Sequence, residues 1–340
     1  MARSDITIDL SAVRRNVRVL LDALAGAELW AVVKADGYGH GALDVGGAAL
    51  GGGATALCTA TVAEALPLRA AFPGARVIVL SPTPDDELAA AREAKVELVV
   101  SDDRPLPEGV PVHLKLDTGM GRWGLSELPT PQTNVVGLMS HLATADGDLA
   151  FAEQQIERFR EATAPYAGYT RHLANSAAAL RLPSARFDAA RCGIAVYGLS
   201  PFGGDPGDDG LEPALAWRSE LAQVKLLEPG ESTGYGRRFV AERPTWIGLV
   251  PVGYGDGFRR DLTGTRVRVG DELQRVVGTI SMDSFAVELP ARLPVGTPVT
   301  LIGDGVLADD HARVAGTIAY ELACGIDARP LRARRSVVGA

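Results

Sequence analysis

Eight short apolar, β-rich runs recur along the first two-thirds of this chain, and no other feature limits its fold so strongly. They are "ELWAVVKAD" (28–36), "GATALCTA" (53–60), "RVIVLSP" (76–82), "VELVVSD" (96–102), "VPVHLKLD" (110–117), "NVVGLMSHLA" (134–143), "YTRHLANS" (169–176) and "ARCGIAVYGL" (190–199). Most are separated by stretches of helical composition such as "TVAEALPLRAAF" and "FAEQQIERFREATAPY". Eight strands alternating with helices predict an α/β chain whose residues 11–212 form a (β/α)8 TIM barrel. The connections "DRPLPEG" and "SELPTPQT", after the fourth and fifth runs, are too proline-rich for full helices. Ser11 is placed to cap the helix before the first run, and Gly26 to end it. The linker "PFGGDPGDDGLEP" (201–213) breaks the period, and short strands with turn signals then predict an all-β domain over 213–340. The strand-like segment 5–10 stands outside the eight-run series and is assigned to that second domain.

Composition narrows the function. With 46% hydrophobic and 22% charged residues, the 340-residue chain can bury a large core. A net charge of −8 without blocks of like charge offers no footprint for nucleic acid or an anionic membrane. No apolar run reaches the roughly 20 residues of a membrane span, and the first ten residues lack a secretion pattern, so a cytoplasmic protein is expected. Cys58, Cys192 and Cys324 are odd in number and form no C-x-x-C, as expected of reduced thiols.

Barrel enzymes work at the carboxyl ends of their strands. Reading those ends collects Lys34, Thr59, Ser81, Ser101, Asp117, His141, the "HLANS" group and Arg191 into a polar ring. Lys34, leaving a buried strand, must snorkel to water, pair with an acid or be used chemically. On the fifth strand, period two puts His113, Lys115 and Asp117 on one face, so that they must be paired, modified or catalytic. Two stretches suit a phosphate. In "ANSAAAL", Asn175 and Ser176 can cap a helix, and in "RCGIA" the glycine of Gly193–Ile194 lets backbone approach a ligand closely. A phosphate site beside a strand-end lysine suggests pyridoxal 5'-phosphate, whose aldehyde needs an amine.

The motifs "AVVKADGYGHG", "LKLDTGMGRWG", "SHLATAD", "HLANSAA", "RCGIAVYG", "GYGRRF", "PVGYGDG", "GTISMD" and "IAYELAC" stand in one order along nearly the whole chain. That set resembles the bacterial alanine racemases. The resemblance implies a pyridoxal-phosphate enzyme interconverting L- and D-alanine for peptidoglycan, working as a homodimer with shared sites. It implies that Lys34 bonds the cofactor and that Tyr235, from the partner subunit, is the opposing base. Arg191 would face the pyridine nitrogen and Arg122 the phenolic oxygen. Tyr38, Ser176, Tyr320 and the amides of Gly193 and Ile194 would hold the phosphate, with Asn175 beside them, and His141 would link Arg191 to Tyr235. Lys115 matches a lysine that many members carbamylate, and Met282 and Asp283 match a segment that reaches into the partner's site near the substrate carboxylate.

Racemisation needs one base on each face of the α-carbon, so a lysine and a tyrosine opposed across the substrate are the expected residue types. An unperturbed tyrosine, with a pKa of about 10, needs hydrogen-bonding or cationic neighbours to serve as a base. Some positions depart from the family pattern. "GIDARPLR" replaces the usual "S-Y-R-V-P-R", Thr279 stands where many members carry arginine, and the 126–133 connection is short, whereas Asp146, Tyr254 and Arg260 match. Alternatives are a serine racemase, a fold-related decarboxylase, a non-catalytic pyridoxal-phosphate barrel, or a metal hydrolase built on His113, Lys115, His141 and His172; no metal site is otherwise expected.

Overall fold

A computed structural model describes residues 3–166 and 168–340. Its contacts divide into two compact units, one spanning 11–212 and the other joining the amino-terminal strand to 213–340.

In the first unit, β2 (Glu28–Val32), β3 (Ala56–Thr59), β4 (Arg76–Val79), β5 (Glu97–Val100), β6 (Val112–Lys115), β7 (Val135–Met139), β8 (Thr170–His172) and β9 (Ala189–Cys192) pair in sequence order. β9 returns to β2 in parallel, Glu28 opposite Ala189, and the barrel closes. Leu29, Ala31, Leu57, Ile78, Leu114 and Leu138 are wholly buried, as parallel strands covered on both faces require. The covering helices are α1 (Leu10–Leu24), α3 (Ala42–Gly52), α4 (Val62–Ala71), α5 (Leu88–Glu93), α6 (Leu149–Thr163) and α7 (Ser176–Arg181), while α2 (Lys34–Tyr38) is a single turn after β2. No helix lies between β5 and β6 or between β6 and β7, where the prolines cluster.

Three expectations need adjusting. Helix α1 starts at Leu10, directly after the amino-terminal strand, so Ser11 lies in its first turn and Asp9 takes the flanking position. The strands are shorter than the apolar runs. The run 190–199 is strand only to Cys192; Gly193 then turns the chain, and Ile194–Tyr197 coil into a buried 3-10 turn closed by left-handed Gly198. Hydrophobicity alone does not separate these two buried states.

The second unit is a nine-stranded sheet in the order β11-β14-β17-β16-β15-β18-β10-β1-β19. Its strands are β1 (Asp5–Asp9), β10 (Leu215–Glu220), β11 (Gln223–Leu227), β14 (Thr245–Val250), β15 (Arg266–Val269), β16 (Glu272–Val277), β17 (Phe285–Leu289), β18 (Pro298–Ile302) and β19 (Arg334–Val338). The short pair β12 (Ser232–Thr233) and β13 (Phe239–Val240) forms a separate ladder, and two helices, α8 (Ala308–Ala315) and α9 (Ala319–Gly325), precede β19. β1 runs antiparallel to β10 and parallel to β19, so both ends of the chain lie side by side in this sheet.

Candidate active site

Lys34 opens α2, and the backbone there is left-handed: φ is +52° at Ala35, +50° at Asp36, +62° at Gly37 and +53° at Tyr38. For a non-glycine residue this conformation costs roughly 1–2 kcal/mol. Three such residues in a row with Gly37 need outside support. Glu64, in the first turn of α4, provides it: Ala35 N donates to Oε1 at 2.9 Å and Ala60 N to Oε2 at 2.8 Å. Asp36 Oδ1 accepts from Ala42 N at 2.8 Å. One carboxylate therefore ties the ends of β2 and β3 together and fixes the turn that presents both Lys34 and Tyr38. The one signal of Glu64 in the sequence is its capping-box spacing from Thr61, which does cap α4.

Tyr38 is buried, and its ring packs 4.9 Å from that of Tyr197, whose hydroxyl donates to Val32 O at 2.7 Å. Its own hydroxyl faces Gly193, where a Cβ would lie 2.4 Å from it. Across the same gap Ser176 Oγ accepts from Gly193 N at 3.0 Å and Ala195 N at 3.4 Å. A serine oxygen that accepts two bonds turns its own hydrogen outward. The Tyr38 and Ser176 hydroxyls thus flank the Gly193 backbone across a space that only glycine leaves open, and hydroxyl hydrogens so placed suit phosphate oxygens. Asn175 caps α7 by accepting from Ala178 N at 3.0 Å, and Ile194 is buried behind the cradle.

Arg191, on β9, is buried among acceptors. Nη1 donates to His172 Nδ1 at 2.9 Å and His172 O at 2.8 Å, and Nη2 to Ser140 O at 2.7 Å and His141 Nδ1 at 3.1 Å. Burial lowers its pKa to about 10, which leaves it cationic at neutral pH. Because arginine only donates, both histidines must accept at Nδ1 and carry hydrogen at Nε2. His172 Nε2 meets His113 Nδ1 at 2.9 Å, and His113 Nε2 meets Glu97 Oε2 at 2.8 Å. Burial alone would raise Glu97, but the bonds from His113 and from Arg76 outweigh it and hold the carboxyl at about 2. Burial, reinforced by the Arg191 charge, pushes His141 and His172 well below the ordinary histidine value, and His113 is lowered by burial despite Glu97. The histidines are neutral links in a chain of fixed direction, so His113 and His172 have no nitrogen left for a metal. Gly137 makes room for it: a Cβ there would stand 2.1 Å from His113 Nδ1.

Lys115, 4% exposed on β6, has its pKa lowered to about 8 by burial and then by the charges of Arg191 and Arg122. Nζ stands 5.9 Å from the centroid of the Trp123 ring, and exposed Arg122 has its guanidinium carbon 5.5 Å from the same ring. Asp117 closes the loop between them by accepting from the amides of Gly119, Met120 and Gly121.

The remaining expected residues lie in the second unit. Tyr235 is 71% exposed, and Thr279 Oγ1 donates to its carbonyl at 2.8 Å, so Thr279 buttresses the Tyr235 turn from below. Met282 is 54% exposed with Asp283 beside it, and half-buried Tyr320 sits on α9.

Fold and site define a two-domain barrel protein whose strand-end lysine, anion cradle and buried arginine suit a phosphorylated aldehyde cofactor. The alanine racemase N-terminal domain model matches residues 8–201 and the C-terminal domain model residues 214–334. The chain belongs to the alanine racemase family. It is 40% identical to Alanine racemase 1 of Bacillus subtilis over 95% of this chain and 90% of that protein. The solved structure of alanine racemase from Streptomyces coelicolor is 37% identical and superimposes with a TM-score of 0.90, covering 99% of this chain and 98% of the other. That of Bartonella henselae alanine racemase with covalently bound pyridoxal phosphate, 24% identical with a TM-score of 0.87 over 98% of this chain and 99% of that one, shares the fold.

Proposed function

We propose that this chain is a pyridoxal-phosphate-dependent alanine racemase, a cytoplasmic homodimer that supplies D-alanine for peptidoglycan. The observation that supports the reading is the left-handed turn that carries Lys34 and Tyr38 on one short segment after β2, with the Tyr38 hydroxyl set against Gly193, whose amide donates to Ser176 Oγ. The cofactor would be held by Lys34 covalently, by Arg191 at its pyridine nitrogen, by Arg122 at its phenolic oxygen, and at its phosphate by Tyr38, Ser176, Tyr320 and the amides of Gly193 and Ile194.

The cofactor, when bound, supplies an electron sink that acidifies the α-proton. Lys34 Nζ moves a proton on one face of the α-carbon and Tyr235 Oη, from the partner subunit, on the other. Arg191 stays cationic at neutral pH and would donate to the pyridine nitrogen, so that nitrogen would be left unprotonated and the sink moderate, which would limit transamination. His141 Nδ1 is taken by Arg191, which leaves its Nε2–H as the donor that would face the hydroxyl of Tyr235 from the partner subunit. Lys115, with a pKa near 8, holds enough neutral amine to attack carbon dioxide. Its nitrogen bonds the carbon and releases one proton to water, and the resulting carbamate anion pairs with Arg122. Arg122, Met282 and Asp283 then surround the substrate carboxylate.

The dimer is supported by side chains that have no apolar cover of their own. Tyr235 at 71%, Met282 at 54% and Tyr254 at 43% exposure are tied into one patch by bonds from Thr279 to Tyr235 O and from Tyr254 N to Ser281 O. The test is purified protein given L-alanine in deuterated water. A visible band lost on borohydride reduction, together with deuterated D-alanine, is the expected result; turnover of L-serine in preference to L-alanine, or loss of carbon dioxide, would replace the proposal with the neighbouring activity. Mixing inactive Lys34→Ala and Tyr235→Phe dimers should regain activity in hybrids, and no recovery after subunit exchange would sink the shared site.

A further inference from the structure

Met282 and Asp283 occupy an exposed loop between β16 and β17, where chain connectivity alone would leave them loose. The loop is stitched to its neighbour by Tyr254 N to Ser281 O at 3.0 Å and Gly255 N to Met282 O at 2.9 Å, an approach so close that a Cβ on Gly253 would lie 2.2 Å from Ser281 O. Beneath it lies Asp256, 1% exposed, with Oδ2 accepting from Gly253 N at 2.8 Å. A carboxylate this buried requires counter-charge. Two arginines supply it, one from each end of the chain, and each also grips Asp283. Arg332 places Nε 2.8 Å from Asp256 Oδ1 and Nη1 3.1 Å from Asp283 Oδ1. Arg3 places Nη2 3.6 Å from Asp256 Oδ2 and Nη1 3.5 Å from Asp283 Oδ1, donates from Nε to Pro251 O at 3.1 Å, and bonds the Asp283 carbonyl. Nearby Asp327 donates its backbone N–H to Asp256 O at 3.0 Å, while its carboxylate is taken by Arg329, which leaves Arg332 to the other two aspartates.

We propose that Arg3 and Arg332 are positioning residues that clamp Asp283 over buried Asp256 and so fix the Met282–Asp283 loop in the geometry that receives the substrate carboxylate. The inference rests on the proposed function, in which that loop reaches the partner's site. It also assigns work to the unusual segment "GIDARPLR": its sequence departs from the family's run, yet it keeps the one arginine that reaches Asp256 and Asp283. Arg3 becomes part of the catalytic architecture although it touches no reacting atom.

The experiment compares Arg332→Gln, Arg332→Lys, Arg3→Gln and the reference variant Asp283→Asn as holoenzymes, with KM and kcat in both directions, the visible cofactor band, oligomeric state and Tm. Losing one charge-assisted contact should raise the KM of L-alanine roughly tenfold in Arg332→Gln and about threefold in Arg3→Gln, whose ion pairs with the two carboxylates are longer, with the band and kcat nearly unchanged. Arg332→Lys should recover part of the loss. If Asp283→Asn raises KM while Arg332→Gln and Arg3→Gln keep the parent KM, the clamp is overturned and the reading of the loop survives. If Asp283→Asn has the parent KM, the loop is not at the substrate and the inference falls with that reading. Should Arg332→Gln fail to fold, Arg3→Gln and Arg332→Lys decide, since the half-buried Arg3 side chain keeps 30% exposure and lysine keeps the charge at 332; a lower Tm with the parent KM counts against the proposal.

Discussion

Replacing Gly193 by alanine probes the cradle at its narrowest point. The added Cβ would stand 2.4 Å from Tyr38 Oη and 2.9 Å from Cζ, whereas ordinary contact needs about 3.4 Å or more, so the hydroxyl must retreat by roughly 1 Å. The ring cannot swing away freely, because it is buried against Tyr197 and its backbone is locked in the left-handed turn. Overpacking of this kind costs about 1–3 kcal/mol. That strain falls on the hydroxyl that would bind the phosphate, so the variant should lose cofactor affinity by roughly 10- to 100-fold, each tenfold being about 1.4 kcal/mol. The assay is titration of the cofactor-free protein with pyridoxal 5'-phosphate, followed by the visible band, with far-ultraviolet circular dichroism to establish folding. A folded Gly193→Ala protein with the parent affinity would refute the argument that the glycine exists to let Tyr38 and the 193–195 amides converge.

Three further outcomes are expected. Tyr235→Phe should lower racemisation by roughly 10²- to 10⁴-fold while the cofactor band persists, measured by polarimetry beside the spectrum; an undiminished rate would remove Tyr235 from the chemistry. Glu64→Gln keeps one acceptor but turns an amide N–H₂ toward Ala35 N or Ala60 N, leaving a donor unsatisfied at about 1–3 kcal/mol; thermal melts and cofactor titration should show a lower Tm and weaker binding together, and parent values of both would mean that Asp36 and the backbone hold the turn unaided. His113, His141, His172 and His311 are each held neutral by burial, so the unfolded chain binds more protons as pH falls through about 6.5, and stability should drop by up to about 1.4 kcal/mol per pH unit for each histidine. Glu97 works in another window, since its lowered pKa stabilises the fold above the usual glutamate range and that contribution fades as pH falls toward about 2. Melts between pH 7.5 and 5.5 that stay flat would contradict the neutral chain behind Arg191.

Much of the fold was legible because the two halves carry different hydrophobic periods, and because proline reports where helices cannot form. Strand ends were less so: "CGIAVYGL" is as apolar as a strand, and only packing around Gly193 and Gly198 makes it a tight turn. Of the proposed site, Lys34, Ser176 and Arg191 could be listed from their residue types and strand-end positions, and Tyr38 from the family resemblance. Residues that act through others could not. Glu64 looks like a helix cap, Glu97 like a strand residue, and Asp256 and Arg332 lie 76 positions apart by their numbers.

What the sequence determined by itself was the alternation that closes a barrel, the change of period that starts a second sheet, and the residue types available for chemistry. The tertiary structure alone decided how charges are matched: which carboxylate holds the Lys34 turn, which way the hydrogen bonds run from Arg191 through His172 and His113 to Glu97, and that Arg3 meets Arg332 over one buried aspartate. The physical reason is range. Periodicity and turn chemistry act between near neighbours in the chain, whereas a buried charge is satisfied by whichever partner the closed fold brings within about 3 Å.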